Sequence, residues 1–199
     1  MGKFWRMDMT QQASGALGTF VQRLEGLVQR GGESTPGFWD ELGQAMKELV
    51  AKDDWLPDSM AVPHPQYYQQ YCLYADPQDR FSVVSFVWGP GQETPIHDHT
   101  VWGVIGVLRG AEISQPYQAD GVSAPRLAGE PEHLDTGAVG FVSPTIGDVH
   151  RVINAHQDRV SISIHAYGGN IGKVNRHVFP EAGGPAKAFV SGYSAPVQA

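Results

Sequence analysis

The chain has 199 residues, 41% of them hydrophobic and 18% charged, which is long enough to bury a core and ordinary for a soluble globular protein. Its formal net charge is -7 with both signs interspersed, and the absence of a basic tract argues against nucleic acid or an anionic membrane as a partner. The opening MGKFWRMDMTQQASG lacks the apolar stretch of a secretory leader, no apolar run approaches a membrane span, and the single cysteine, Cys72, has no disulfide partner, so a reducing, cytoplasmic setting is expected.

In chain order, Leu17, Phe20, Val21, Leu24, Leu27 and Val28 recur at spacings of three and four, which predicts a helix stopped by Gly31-Gly32. Ser34-Thr35-Pro36 is expected to open a second helix carrying Phe38, Trp39, Leu42, Met46, Leu49 and Val50 on one stripe, with Pro57 and Pro63 ending the helical region. Both stripes read as packing faces. From about Tyr67 the texture changes to short runs of Val, Ile, Phe and Tyr between Gly, Pro and Asp clusters, the pattern of many short strands. Phe81 to Trp88, Val104 to Leu108, Ala138 to Val142, Val149 to Ile153 and Val160 to Tyr167 are the predicted strands, and the tail from Glu181 reads as surface loop with at most one strand. The expectation is an α+β, mainly β chain forming one domain over 1–199, its helical region 1–57 packed on a β-sandwich or small barrel over 58–199.

Eight histidines are present, and their placement carries the chemistry. His97-Asp98-His99 follows Pro95 on an extended segment, where residues two apart share a face, so both imidazoles point one way and Asp98 the other. Alone, such a pair reads more readily as a polar, partly exposed strand than as a metal site. Gly91 stands six residues before His97, Gly110 closes the next strand, and Gly147, His150 and Asn154 follow in the pattern GxxHxxxN. Together these resemble the two cupin motifs, with the proline of the second, Pro144, one residue further upstream than usual; the resemblance implies a jelly-roll β-barrel with a metal at its centre. The common cupin pattern supplies a fourth ligand, a glutamate, where this chain has Gly103, and Glu112 lies beyond Gly110. The resemblance therefore implies a metal held by His97, His99 and His150 alone, leaving positions open for substrate and dioxygen. Zinc also accepts three histidines, so the ligands by themselves do not name the metal.

Ser161 to Tyr167 alternates strictly, which puts Ser163, His165 and Tyr167 on one strand face and Ile162 and Ile164 on the other. Read alone, that face is a satisfied polar ladder or a solvent-facing strand. With Pro95-Ile-His-Asp-His-Thr100 and Val149-His-Arg-Val, the series resembles the thiol dioxygenases, which include cysteine dioxygenase and 3-mercaptopropionate dioxygenase, over about Tyr68 to Arg176. That resemblance implies Fe(II) on the three histidines and a catalytic Ser163–His165–Tyr167 series that places the tyrosine hydroxyl near substrate and oxygen. Animal-type members have a cysteine soon after HxH that becomes cross-linked to the tyrosine; here Thr100 to Ile105 has none, so Tyr167 is expected to stay unmodified. Gln70 stands where those members have a carboxylate-binding arginine, and Arg176 matches the arginine used instead by bacterial enzymes preferring 3-mercaptopropionate. Both are implied to bind substrate, although Arg176 read alone could equally form a surface ion pair.

The activity implied is oxidation of a small thiol carboxylic acid, 3-mercaptopropionate before L-cysteine, by O2 to a sulfinic acid. Two other readings stay open: a cupin with another metal acting as isomerase or different dioxygenase, and a non-catalytic ligand-binding cupin. His64, His133, His156 and His177 read as structural or surface residues, and Phe81, Phe86, Trp88 and Trp102 as core or pocket wall.

Overall fold

The computed structural model describes residues 15–196; the reading of the opening segment as free of a leader lies almost wholly outside them. Helix α1, Gly15–Gln29, buries Phe20, Val21, Leu24 and Leu27, and helix α2, Phe38–Val50, buries Phe38, Leu42, Met46, Leu49 and Val50. The second helix starts later than expected. Gly32–Ser34 forms a 3-10 turn, and Gly37, in the left-handed region at φ 78°, precedes the first helical residue. Ser34 and Thr35 thus belong to the connection, and Gly37 adopts a conformation that a residue with a side chain avoids. No helix among the described residues is long and apolar enough to cross a membrane.

Eleven strands follow: β1 Gln69–Ala75, β2 Ser82–Trp88, β3 Gly103–Arg109, β4 Ala111–Gln118, β5 Arg126–Leu127, β6 Glu132–Asp135, β7 Val139–Val142, β8 His150–Asn154, β9 Ser161–Tyr167, β10 Arg176–Val178 and β11 Lys187–Phe189. One antiparallel sheet runs β1-β2-β9-β3-β7. In the second, β4 pairs with β5, β6 and β8, while β10 pairs with β11. This is the two-sheet cupin jelly roll, mainly β with helices at its N-terminal side.

The first sheet is covered on both faces, which is why every residue of β2 and β9 is buried. Val83, Val87, Val104, Ile162, Ile164 and Ala166 pack with the helices. Val84, Phe86, Trp88 and Tyr167 point the other way and meet Val152 of β8. Each large apolar side chain so buried contributes ~1.5–3 kcal/mol, and the helices thereby brace the sheet that carries the polar series of β9. At Gly106 of β3 a Cβ would lie 2.6 Å from Met46 Cγ and 2.9 Å from Val50 Cγ1, so the missing side chain lets α2 sit directly on the strand.

Candidate metal centre

His97-Asp98-His99 is tied into the barrel by isolated bridges rather than by a regular strand, His97 pairing with both His150 of β8 and Val178 of β10. The His97 and His150 backbones exchange N–H···O bonds of 3.0 Å in each direction. Asp98 faces away and is anchored: its Oδ1 accepts from the His177 backbone N–H at 2.6 Å, and Oδ2 lies 2.9 Å from His177 Nδ1. With the middle residue fixed outward, the strand alternation turns His97 and His99 inward to meet His150. The three rings lie 4.8 to 5.0 Å apart between centroids, and one ligand nitrogen from each falls within 4.8 Å of the others.

Each imidazole is oriented through Nδ1. His97 Nδ1 lies 3.0 Å from Pro95 O, His99 Nδ1 lies 3.1 Å from Asp148 Oδ1, and His150 Nδ1 lies 2.9 Å from Ser114 Oγ. Nε2 of each ring has no protein hydrogen bond among the described residues, which is how ligating histidines are commonly tuned and aimed. Burial, reinforced by the neighbouring imidazoles, lowers His97 to about 3 and His150 well below its ordinary value. Both therefore offer neutral lone pairs at neutral pH. Asp148 also accepts the backbone N–H of His99 and of Thr100, holding Thr100 at φ 59° immediately after the second histidine. That left-handed turn is costly for a β-branched residue and is held here by three bonds to one carboxylate. The donor set, three buried imidazoles with their rings fixed, fits a divalent transition metal.

Gly103, at the position of the usual glutamate ligand, pairs directly with Tyr167 across β3 and β9. A Cβ there would lie 2.9 Å from the Tyr167 ring carbons, so the tyrosine ring fills the space that a fourth ligand would need. Tyr167 stacks on His99 with centroids 5.6 Å apart and planes at 18°. Its hydroxyl lies 2.8 Å from His165 Nδ1, and His165 Nε2 lies 2.7 Å from Ser163 Oγ, an unbroken chain along the inner face of β9. Trp88 donates its indole N–H to Ser163 Oγ at 3.2 Å, and Phe86 lies against the His165 ring. Burial raises the Tyr167 hydroxyl and lowers His165, so the chain is neutral at both groups. Cys72 neighbours Tyr193 rather than Tyr167, with burial pushing its thiol up to about 11.

Arg176, on β10, is buried at 3% exposure and forms no ion pair among the described residues, unlike the surface pairing that its sequence alone allowed. Its guanidinium lies 4.7 Å over the Phe189 ring, its Nη2 donates to Ser191 Oγ at 2.7 Å, and its Nε has no partner. Gln70 of β1 donates its amide to the same Ser191 Oγ at 3.1 Å and to Gly192 O at 3.1 Å. The positive charge of Arg176 bears on His97, Tyr68 and Tyr167, which places it beside the histidine cluster. A cavity of about 330 Å³ opens along Tyr68, Gln70 and Ser191, and a cleft of about 410 Å³ reaches Ser114, Asp148 and His150. A separate cleft of about 510 Å³ lies between the helices and touches none of these groups.

The structure thus brings together all eight residues singled out from the sequence and adds four that were not. Asp148 and Ser114 orient the imidazoles, and Ser191 bridges Arg176 and Gln70. The fourth, Glu112, is fully buried beside Ser163 and Trp88. Asp148 had a signal, standing two residues before His150 inside the second motif; Ser191 had none, because the tail does not merely cross the surface but closes on Gln70.

The chain is similar to several solved structures, three of which follow. A double-stranded β-helix protein from Klebsiella pneumoniae subsp. pneumoniae MGH 78578 is 22% identical, with 57% of this chain and 82% of that one covered and a TM-score of 0.45. An RmlC-like cupin from Desulfovibrio desulfuricans is 22% identical over 59% and 96%, with a TM-score of 0.41. A cupin superfamily protein from Desulfitobacterium hafniense DCB-2 is 11% identical over 60% and 94%, with a TM-score of 0.43. The family of cysteine dioxygenase type I matches residues 65–178, a stretch that holds the three histidines, the Ser-His-Tyr face, Gln70 and Arg176. More than half of the chain is matched, and the chain belongs to the cysteine dioxygenase type I family.

Proposed function

We propose that this protein is an iron(II)-dependent thiol dioxygenase acting on a small thiol carboxylic acid, 3-mercaptopropionate first and L-cysteine second. Membership in a dioxygenase family and a three-histidine cluster that fits a metal give the class of reaction. The observation that carries the substrate class is Arg176: a buried guanidinium with no carboxylate partner among the described residues, one unpartnered Nε, and Gln70 sharing its only hydroxyl contact. A buried cation without a counter-ion is costly, and a carboxylate from the ligand would repay that cost with two parallel hydrogen bonds.

Iron(II) held by His97, His99 and His150 would supply open coordination positions and the one-electron chemistry that lets a closed-shell thiol react with triplet oxygen. The protein's own part is positioning. Arg176 and Gln70 seat the carboxylate, which fixes where the sulfur end of a short acid falls. The Tyr167 hydroxyl, stacked beside His99, hydrogen-bonds the ligand, and His165 and Ser163 hold it there. Phe86 and Trp88 line the inner wall and keep water from the ring of His165. Both atoms of O2 end on sulfur, converting R–SH to R–SO2H with no external reductant.

Oxygen uptake by anaerobically iron(II)-loaded protein, offered 3-mercaptopropionate, cysteine, cysteamine and mercaptosuccinate in parallel, tests this. One O2 consumed per sulfinate formed, with 3-mercaptopropionate the best substrate, is the expected result. No uptake with any thiol by protein shown to hold iron would overturn it in favour of a ligand-binding cupin.

A further inference from the structure

Ser191 stands beyond the stretch that the family matches, and the proposed reaction gives its hydroxyl no role of its own. The residue is exposed at the solvent edge, yet its Oγ reaches side chains of both β1 and β10. Arg176 Nη2 donates to it at 2.7 Å and Gln70 Nε2 at 3.1 Å, so both lone pairs of the hydroxyl oxygen are taken. It is the one protein acceptor of the Arg176 guanidinium among the described residues. Nε is buried without a partner, and the Phe189 ring supports the group from 4.7 Å.

Gln70 is turned by the same segment. Gly192 O can only accept, so the group 3.1 Å from it is the amide nitrogen, whose two protons go to Gly192 O and Ser191 Oγ. That leaves Gln70 no amide proton for a ligand, and its share in seating a carboxylate passes through the tail. The Ser191 hydroxyl, in contrast, is not what holds the tail down. Gly192 N donates to Gly172 O at 3.1 Å, Ser194 N to Gln70 O at 2.8 Å and Gln70 N to Ser194 Oγ at 3.0 Å. The Tyr193 hydroxyl donates to Asn170 Oδ1 at 2.6 Å. Removal of Ser191 Oγ would leave all four bonds in place and release the guanidinium, a planar fork on a long flexible stem.

We propose that Ser191 is a positioning residue that selects ligands bearing a carboxylate: its oxygen fixes the Arg176 guanidinium, and Gln70 fixes that oxygen. Arg176 has no carboxylate partner among the described residues, so an anionic group on the ligand is what the fixed fork favours. The bearing of Ser191 on turnover rests on the thiol dioxygenase reading; its bearing on which ligand binds rests on the hydrogen bonds to Arg176 and Gln70.

The test reads binding rather than turnover. Full-length protein loaded with zinc is titrated without oxygen with 3-mercaptopropionate and with 1-propanethiol, which has the thiol and no carboxylate. Ser191→Ala should weaken 3-mercaptopropionate by ~10-fold, the low end for a hydrogen bond to a charged group, and leave 1-propanethiol within ~2-fold. In an Arg176→Ala background the same substitution should cost nothing further, because Ser191 acts through that guanidinium. Ser191→Thr should keep the wild-type preference, and Ser191→Val, of the same shape without the hydroxyl, should lose it; this pair carries the test if the alanine variant does not fold. An unchanged preference in Ser191→Ala and Ser191→Val, or an equal weakening of both ligands, would overturn the proposal. So would a wild type that binds 3-mercaptopropionate no better than 1-propanethiol. A preference that falls as expected, in a protein whose iron-loaded wild type makes no sulfinate, would uphold the role of Ser191 and remove the assigned reaction. Sulfinate formed by the wild type, with the preference unmoved in the variants, would keep the reaction and overturn the role of Ser191.

Discussion

At the scale of single residues, the groups proposed to meet metal and substrate were legible because their chemistry is scarce in a sequence. Three histidines in fixed spacing, and a Ser, His and Tyr alternating with two isoleucines, are patterns that packing alone does not produce. The residues that orient them were harder to read, because an Asp or a Ser carries no mark of where its side chain turns, even when, like Asp148, it stands inside a motif. Asp148 is the clearest case: it holds the His99 ring, its backbone and the strained Thr100 turn at once. Asp148→Asn should weaken metal retention by ~10–100-fold, as read by competition with a chelator, without unfolding the barrel. Arg176→Ala should raise KM for a thiol carboxylate by ~10–100-fold, on the usual worth of a charged hydrogen bond, while leaving metal content unchanged. A loss of metal in that variant would show that Arg176 supports the barrel rather than the ligand.

At the scale of elements, what decided legibility was how strictly a strand alternates between two different environments. β9 separates the helix-covered face from the barrel interior, so its isoleucines and polar residues keep perfect step. β1 was visible only as a stretch that resembles a family pattern, because the register shift between Cys72 and Tyr74 interrupts its alternation. β4, Ala-Glu-Ile-Ser-Gln-Pro-Tyr-Gln, looks like loop: its inward residues, Glu112 and Ser114, are both polar, and Pro116 removes a donor. β6 is four residues long with a single buried side chain, too little for a periodic signal. The helices were plain from their apolar stripes, but the closeness of α2 to β3 rests on Gly106. Gly106→Val would drive its side chain into Met46 and Val50 and should destabilise the fold by ~1–3 kcal/mol in urea denaturation, with the metal site formed in whatever fraction stays folded.

At the scale of the whole molecule, the buried carboxylate of Glu112 makes stability depend on pH. Glu112 releases its proton near 4.5 in an unfolded chain and at about 7 in the native one. Between those values the native state holds more protons, so stability falls as pH rises through that window, and the loss is complete above the native value. A shift of this size corresponds to about 3 kcal/mol. Glu112→Gln should therefore match the wild type at pH 5 and exceed its stability at pH 8, as measured by urea denaturation at the two pH values. A variant that differs from the wild type by the same amount at both pH values would place the carboxylate in a more polar environment than the structure gives it.

The closing of the tail over Gln70 also sets an order in time. His97, His99, His150 and the Ser163-to-Tyr167 strand all precede Arg176, and the Ser191 hydroxyl that joins Arg176 to Gln70 is made later still. During synthesis the N-terminal part of a chain is available to fold first. Each molecule thus holds the three histidines, and the His177 and Val178 contacts that anchor His97-Asp98-His99, before Ser191 is made. A product clipped between Val178 and Ser191 would keep the histidine cluster with its anchors and lose the hydroxyl shared by Arg176 and Gln70, so on the proposed function the tail would serve selectivity rather than metal binding.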